Sequence, residues 1–351
     1  MRNWDVMRVG QRSDDGSSHD VRSFGGAHRR AHLCTRMARV ERAQRWTRLI
    51  GIVALIVLSL SPVFLHHVAR VAAVVWGGPD QFGSDALAVW RARLTPVHWM
   101  FHAVLVVGAL YAAWDRLRAW RRARVTLRCL SAARPTPGDA LWDAARAAGV
   151  DPTVIRVVAG LPIPAFTVGW LVPQVYVAAE LATYLSPGEL TAVLAHEGAH
   201  VARRDPLLLS VLRFVGRALL WLPAVRQLAA DVADDIEIRA DDAAAARRSP
   251  LALAAALLAV ARWAPGGHLD AALAPAGMVG IVCGDLLERR VRRLAGEAPV
   301  PRTHVTRRAT LAAVATLALL WASGTVVAHA GATTTSGQTS TSMSPHMSPH
   351  A

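Results

Sequence analysis

His196, Glu197 and His200 sit at the centre of "AVLAHEGAHVARRDP", residues 192–206. On a helix, two histidines four apart share one face a turn apart, so both imidazoles can reach one ion. The glutamate beside the first can hold a water there. Zinc bound in such a place lowers the pKa of water toward about 7, and the glutamate can take the proton and hand it to a leaving amine. The spacing therefore points to hydrolysis with Glu197 as general base and acid, and with His196 and His200 as ligands of one Zn2+ per chain. A catalytic zinc ion usually takes a third protein ligand.

That third ligand has to come from another element. Upstream, "LSPGELTAVLA" gives the motif helix a beginning: Ser186 can cap it, Glu189 occupies the capping-box position, and Leu190, Val193 and Leu194 supply a buried stripe. Downstream lies "DVADDIEIRADDAAAA", an acidic helical stretch in an otherwise basic chain. Glu237 and Asp241 are four apart on one face of it, so one can bind the ion while the other accepts a hydrogen bond from a ligand histidine. Asp231, Asp234, Asp235 and Asp242 compete for that role, and otherwise read as a solvated acidic face.

The 351-residue chain carries a formal charge of +14, and all 39 basic residues are arginine. Most cluster beside apolar stretches, which argues for membrane flanks and against direct nucleic-acid binding. Cys34, Cys129 and Cys283 show neither paired nor metal-site spacing and read as incidental. Three stretches reach the roughly 20 apolar residues that a bilayer requires: Leu49–Val68, Val97–Trp114 and Ala309–Ala330. Arginines precede the first, follow the second and precede the third, so the positive-inside rule puts the N-terminus and the segment between the second and third spans in the cytoplasm.

The expected organisation is α+β, a multi-pass membrane protein around a mostly helical zinc peptidase domain with a small sheet. Residues 1–48 form a disordered basic cytoplasmic segment, and Met37 is a candidate translation start. Residues 49–114 hold two spans and a short outer loop, 115–308 the cytoplasmic peptidase domain, 309–330 the last span, and 331–351 a polar Met/His tail outside. A fourth apolar run, Pro206–Pro223, carries Arg213 and Arg217 on one face. A charge at mid-bilayer costs about 2.5–3.5 kcal/mol even on a lenient scale, so this run reads as a helix packed on the domain or lying at the membrane surface. A site shared by the histidines and Glu237 demands the same, since a single span would put them on opposite sides.

The stretch Ala165–Pro206, "AFTVGWLVPQVYVAAELATYLSPGELTAVLAHEGAHVARRDP", together with "EIRAD" at Glu237–Asp241 and "LLERRVRRL" at Leu286–Leu294, resembles the BlaR/MecR-type membrane metallopeptidases and, more distantly, the HtpX-type proteases. The resemblance implies a gluzincin-like fold in a bacterial plasma membrane. His196, His200 and Glu237 would be its zinc ligands, Glu197 its general base, and Asp241 the partner of a ligand histidine. It also implies an edge strand beside the motif helix that holds substrate by strand addition, and Val172, Gln174 and Tyr176 in "VPQVYVAA" are the candidates. The alternative for that stretch is an ordinary internal strand. Three features depart from the group: only 331–351 follow the last span, where the antibiotic sensors carry a penicillin-binding domain; two spans precede the peptidase domain, where the group commonly has three; and Gly198 stands where a larger apolar residue is common.

By this resemblance the substrate is a protein, with a cytoplasmic transcriptional repressor as the leading candidate for a signal-responsive protease. Membrane-protein quality control is the second reading, and a non-catalytic receptor that keeps the fold is the third. His66, His67, His98, His102 and His329 fall at the outer ends of the spans, and the tail repeats Met-Ser-Pro-His through His346 and His350. Imidazole and thioether together suit copper, and imidazole alone can report pH.

Overall fold

The computed structural model describes residues 43–62, 85–263, 279–280, 284–297 and 302–336. The expectations for residues 1–36, the start at Met37, His66, His67 and the tail histidines fall outside the described residues. The chain divides between Thr47 and Arg48, and the contacts below belong to the second unit, Arg48–Ala351.

Helix α1, Ala43–Pro62, and the stretch Pro96–Cys129 of helix α2, Asp85–Cys129, are long and apolar enough to cross a membrane. Unlike the core helices of a soluble protein, both leave apolar side chains bare to their surroundings: Val53 and Val57 on α1, and Val106, Val107 and Leu110 on α2 are all more than half exposed. Helix α10, Arg307–Ser336, covers the third expected span. It packs along α2 and touches α1, where the Trp321 indole donates to the Leu58 carbonyl at 3.1 Å.

Between α2 and α10 lie helix α3, Ala140–Ala148, and four short strands: β1 Ile155–Val158, β2 Ala165–Val168, β3 Gln174–Ala178 and β4 Val279–Gly280. The sheet order is β1-β3-β2-β4, with β1 parallel to β3 and the other two pairings antiparallel. Gly169, at φ 115°, opens the β2–β3 turn, where a Cβ would lie 2.5 Å from the Val172 carbonyl oxygen. After the four-residue helix α4, Leu181–Tyr184, come the long helices α5 Pro187–Arg203, α6 Asp205–Ala218, α7 Pro223–Arg247 and α8 Pro250–Trp263, and then α9 Gly284–Leu294.

Two apolar clusters result. One joins the sheet to α3, α5 and α8 around Ile155, Val175, Val177, Leu194 and Leu257. The other joins α6 and α7 to α1 and α10 around Leu212, Val225, Val232 and Ile236.

The sequence left β3 either a substrate-holding edge strand or an ordinary internal one, and its pairing is that of the second. Its residues Val175–Val177 are paired on both sides, with β1 and with β2, so it is an interior strand. Its apolar side chains explain the placement: Val175 and Val177 are fully buried and Tyr176 stacks on Phe166 at 5.4 Å. Val172, Gln174 and Tyr176 thus belong to or precede a strand with no free edge there, and Val172 itself is exposed. Strand addition would have to displace a neighbour. The strand beside the motif helix is β2, and its outer edge pairs with β4.

Two further expectations meet the structure at α6 and α7. At 14 residues, α6 is about 21 Å long, shorter than the roughly 30 Å hydrocarbon core. It packs against α2 and α7, and Arg217 donates to Asp115 at 2.6 Å. The other acids of α7 are not a solvated face. Asp235 accepts from Arg48 at 2.5 Å, Asp234 from Arg289 at 2.5 Å, Asp231 from the His304 backbone at 2.6 Å, and Asp242 pairs with Arg293. These acids tie α7 to the base of α1, to α9 and to the lead-in of α10.

Candidate metal centre

Helix α5 starts on the capping box expected of it. The Ser186 side chain accepts from the Glu189 backbone, and the Glu189 carboxylate accepts from the Ser186 backbone at 2.8 Å. Leu190, Val193 and Leu194 bury one face under the sheet. That orientation turns His196, Glu197 and His200 inward, and all three are buried. The helix stops at Arg204, whose left-handed φ of 53° folds the chain directly into α6, with Pro206 in the first turn.

The Nε2 atoms of His196 and His200 face each other 3.1 Å apart. From α7, Glu237 brings Oε2 to 3.5 Å from the first and Oε1 to 3.7 Å from the second. Two donors bound at 2.0–2.1 Å to one tetrahedral ion stand about 3.4 Å apart, so these distances fit a zinc ion. His196, His200 and Glu237 form a buried group that could hold a metal. Glu237 reaches the two histidines because α5 and α7 pack side by side.

The other ring nitrogens face carboxylates. His200 Nδ1 donates to Asp205 Oδ2 at 2.8 Å, and His196 Nδ1 stands 3.0 Å from Asp241 Oδ1. A carboxylate only accepts, so the proton of neutral His200 sits on Nδ1 and its Nε2 lone pair is left for an ion. Asp205 is in turn held by Arg203 at 2.9 Å. Glu197 accepts from the Thr167 hydroxyl of β2 at 2.6 Å through Oε2, while its buried Oε1 has no hydrogen-bond partner among the described residues.

Arg290 of α9 closes the group. Its Nε and Nη2 grip both oxygens of Asp241 at 2.7 Å, and Nη1 lies 3.0 Å from Glu237 Oε2. With both histidines neutral, the four acids Glu197, Asp205, Glu237 and Asp241 outnumber the two arginines Arg203 and Arg290 by two charges. A divalent cation would cancel that excess.

These contacts set the proton affinities. Burial alone would lower the His196 pKa, but Asp241 and Glu237 outweigh it and raise the pKa to about 9. Burial raises Glu197 despite the two histidines and Thr167, whereas Arg290 overcomes burial to hold Glu237 low and Asp241 at about 2. Among Glu197, Glu237 and Asp241, Glu197 is thus the one whose carboxylate is pushed toward its protonated form.

Sequence reasoning singled out His196, Glu197, His200, Glu237 and Asp241, and the structure gathers all five. It missed Asp205, Thr167 and Arg290. Arg290 left a trace: Leu286, Leu287, Val291 and Leu294 mark the apolar stripe of α9, and Arg290 falls within it.

No curated protein matches the chain. The BlaR1 peptidase M56 family matches residues 81–264, from the start of α2 to the end of α8. That stretch supplies every member of the buried His-His-Glu group, and the chain belongs to this family.

Proposed function

We propose that the protein is an integral-membrane zinc endopeptidase whose active site faces the cytoplasm. The observation that carries this reading is the convergence of His196, His200 and Glu237 beside a buried Glu197 whose Oε1 has no hydrogen-bond partner among the described residues. When bound, zinc supplies Lewis-acid chemistry, polarising a peptide carbonyl and acidifying water. Thr167 fixes Glu197 Oε2, so Oε1 is the atom that takes a proton from the attacking water and passes it to the leaving amine. Asp241 and Asp205 hold the two imidazoles in orientation from their Nδ1 sides.

The membrane assignment is supported by the lipid-compatible faces of α1 and α2 and by the arginines at their bases. In this reading α10 completes a three-helix bundle, and the domain built on α3–α9 stays on the arginine-rich side. The substrate we favour is a cytoplasmic transcriptional repressor, which makes the protein a signal transducer. Comparing the cytoplasmic proteins of cells that express the wild type or Glu197→Gln tests this. One discrete cleaved repressor supports signalling, many fragments would mean quality control, and no difference would leave only a non-catalytic receptor.

A further inference from the structure

We propose that Arg290 is a positioning residue of the metal centre: one guanidinium presets both the ligand carboxylate Glu237 and the histidine-orienting carboxylate Asp241. This rests on the zinc reading above. Arg290 is 1% exposed and comes from α9, an element beyond the stretch that matches the family.

The geometry argues for preorganisation. Glu237 and Asp241 lie one turn apart on α7, both buried, and without a cation between them they would repel each other. The Arg290 fork spans that gap. Two parallel N–H bonds fix the Asp241 plane, so Asp241 Oδ1 is held at His196 Nδ1. The third contact, an ion pair of Nη1 with Glu237 Oε2, holds that carboxylate beside the two imidazoles. Rigid, correctly aimed donors hold a metal more tightly than donors that must first be ordered, and removing such outer partners typically costs about 10–100-fold in metal affinity. A lysine keeps the charge but not the planar fork, so it cannot hold both carboxylates in this geometry.

A purely structural role for Arg290, as the counter-charge that lets α9 dock on α7, makes a different prediction, and so does competition between Arg290 and the metal, since Nη2 lies 3.5 Å from His196 Nε2. The test uses the full chain in detergent micelles, with zinc affinity read by competition against a chromophoric chelator and the coordination sphere read from the visible spectrum of bound Co2+. Arg290→Lys is expected to bind zinc about 10-fold more weakly than the wild type, and Arg290→Met up to about 100-fold more weakly. Both should show an altered Co2+ spectrum. In an Asp241→Asn background the Arg290→Lys penalty should shrink, because part of the effect acts through Asp241.

Should Arg290→Met fail to fold, Arg290→Lys decides alone. A wild type that binds zinc while Arg290→Lys binds it equally well or more tightly, with an unchanged Co2+ spectrum, overturns the positioning role and leaves the zinc reading intact. A wild type that binds no zinc overturns both.

Discussion

Asp205 Oδ2 accepts a hydrogen bond from His200 Nδ1 at 2.8 Å, so the first residue of α6 orients a residue in the last turn of α5. It parallels the pairing of Asp241 with the other motif histidine, His196. The elbow at Arg204 makes the contact possible, since no straight helix brings residues five apart face to face. Asp205→Asn keeps the shape but removes the charge and frees the His200 tautomer. We expect zinc affinity to fall about 10–100-fold with the fold retained; chelator competition together with circular dichroism checks this, and wild-type affinity would show the contact to be incidental.

The pH dependence of metal binding follows from His196. Its pKa is raised from 6.5 to about 9, so in the metal-free protein at neutral pH the ring is protonated, and Nε2–H can bridge to His200 Nε2. A metal must displace that proton. Apparent zinc affinity should therefore rise by up to about tenfold per pH unit from pH 6.5 and level off above about pH 9. Asp241→Asn removes a cause of the raised pKa and should move the plateau to lower pH. Because the folded pKa is the higher one, the same proton stabilises the metal-free fold below pH 6.5, and that stabilisation is lost as pH rises through about 9. An affinity that does not change between pH 7 and 9 would contradict this account.

Some of this centre was legible in the sequence and some was not, for physical reasons. His196, Glu197 and His200 are local: helical periodicity alone puts them on one face. Glu237 and Asp241 were visible as a pair one turn apart, yet which of the six acids between Asp231 and Asp242 would meet the histidines depends on how α7 rotates against α5, and only the family resemblance chose among them. The remaining acids read as solvated because their partners, such as Arg48 and Arg289, lie far away in the chain. Strand order is likewise a tertiary property, so β3 looked fit for an edge and lies inside the sheet. Arg290 was hidden among the four arginines of "ERRVRR", and only its place in the apolar stripe distinguished it.

The glycine at position 198 of the motif helix has a local cause. A Cβ there would lie 2.3 Å from Val150 Cγ2, and Val150 is itself buried in the core that joins α3 to α5. Gly198→Ala should destabilise the protein by about 1–3 kcal/mol through overpacking, even though alanine favours a helix by about 1 kcal/mol. Pairing it with Val150→Ala should recover much of the loss, because the clash is with that side chain. Thermal melts of the three variants check this; if Gly198→Ala matches or exceeds the wild type, the steric reading fails.

Gly108 lies at a close approach between the apolar helix α2 and α6. A Cβ at Gly108 would meet the Ala218 carbonyl oxygen at 2.3 Å. No side-chain rotation relieves that contact, because the atom met is backbone; the end of α6 would have to move off α2. That movement would also strain the Arg217–Asp115 pair, which joins the same two helices. Gly108→Ala should therefore lower the melting temperature in detergent clearly, whereas Gly51→Ala in α1 should change it little, since its Cβ would meet only Leu228 Cδ1 at an ordinary 3.7 Å. If α6 transmits the shift through Asp205 to His200, zinc affinity in Gly108→Ala will fall as well. A lowered melting temperature with wild-type zinc affinity would show instead that α6 absorbs the displacement before it reaches the metal centre.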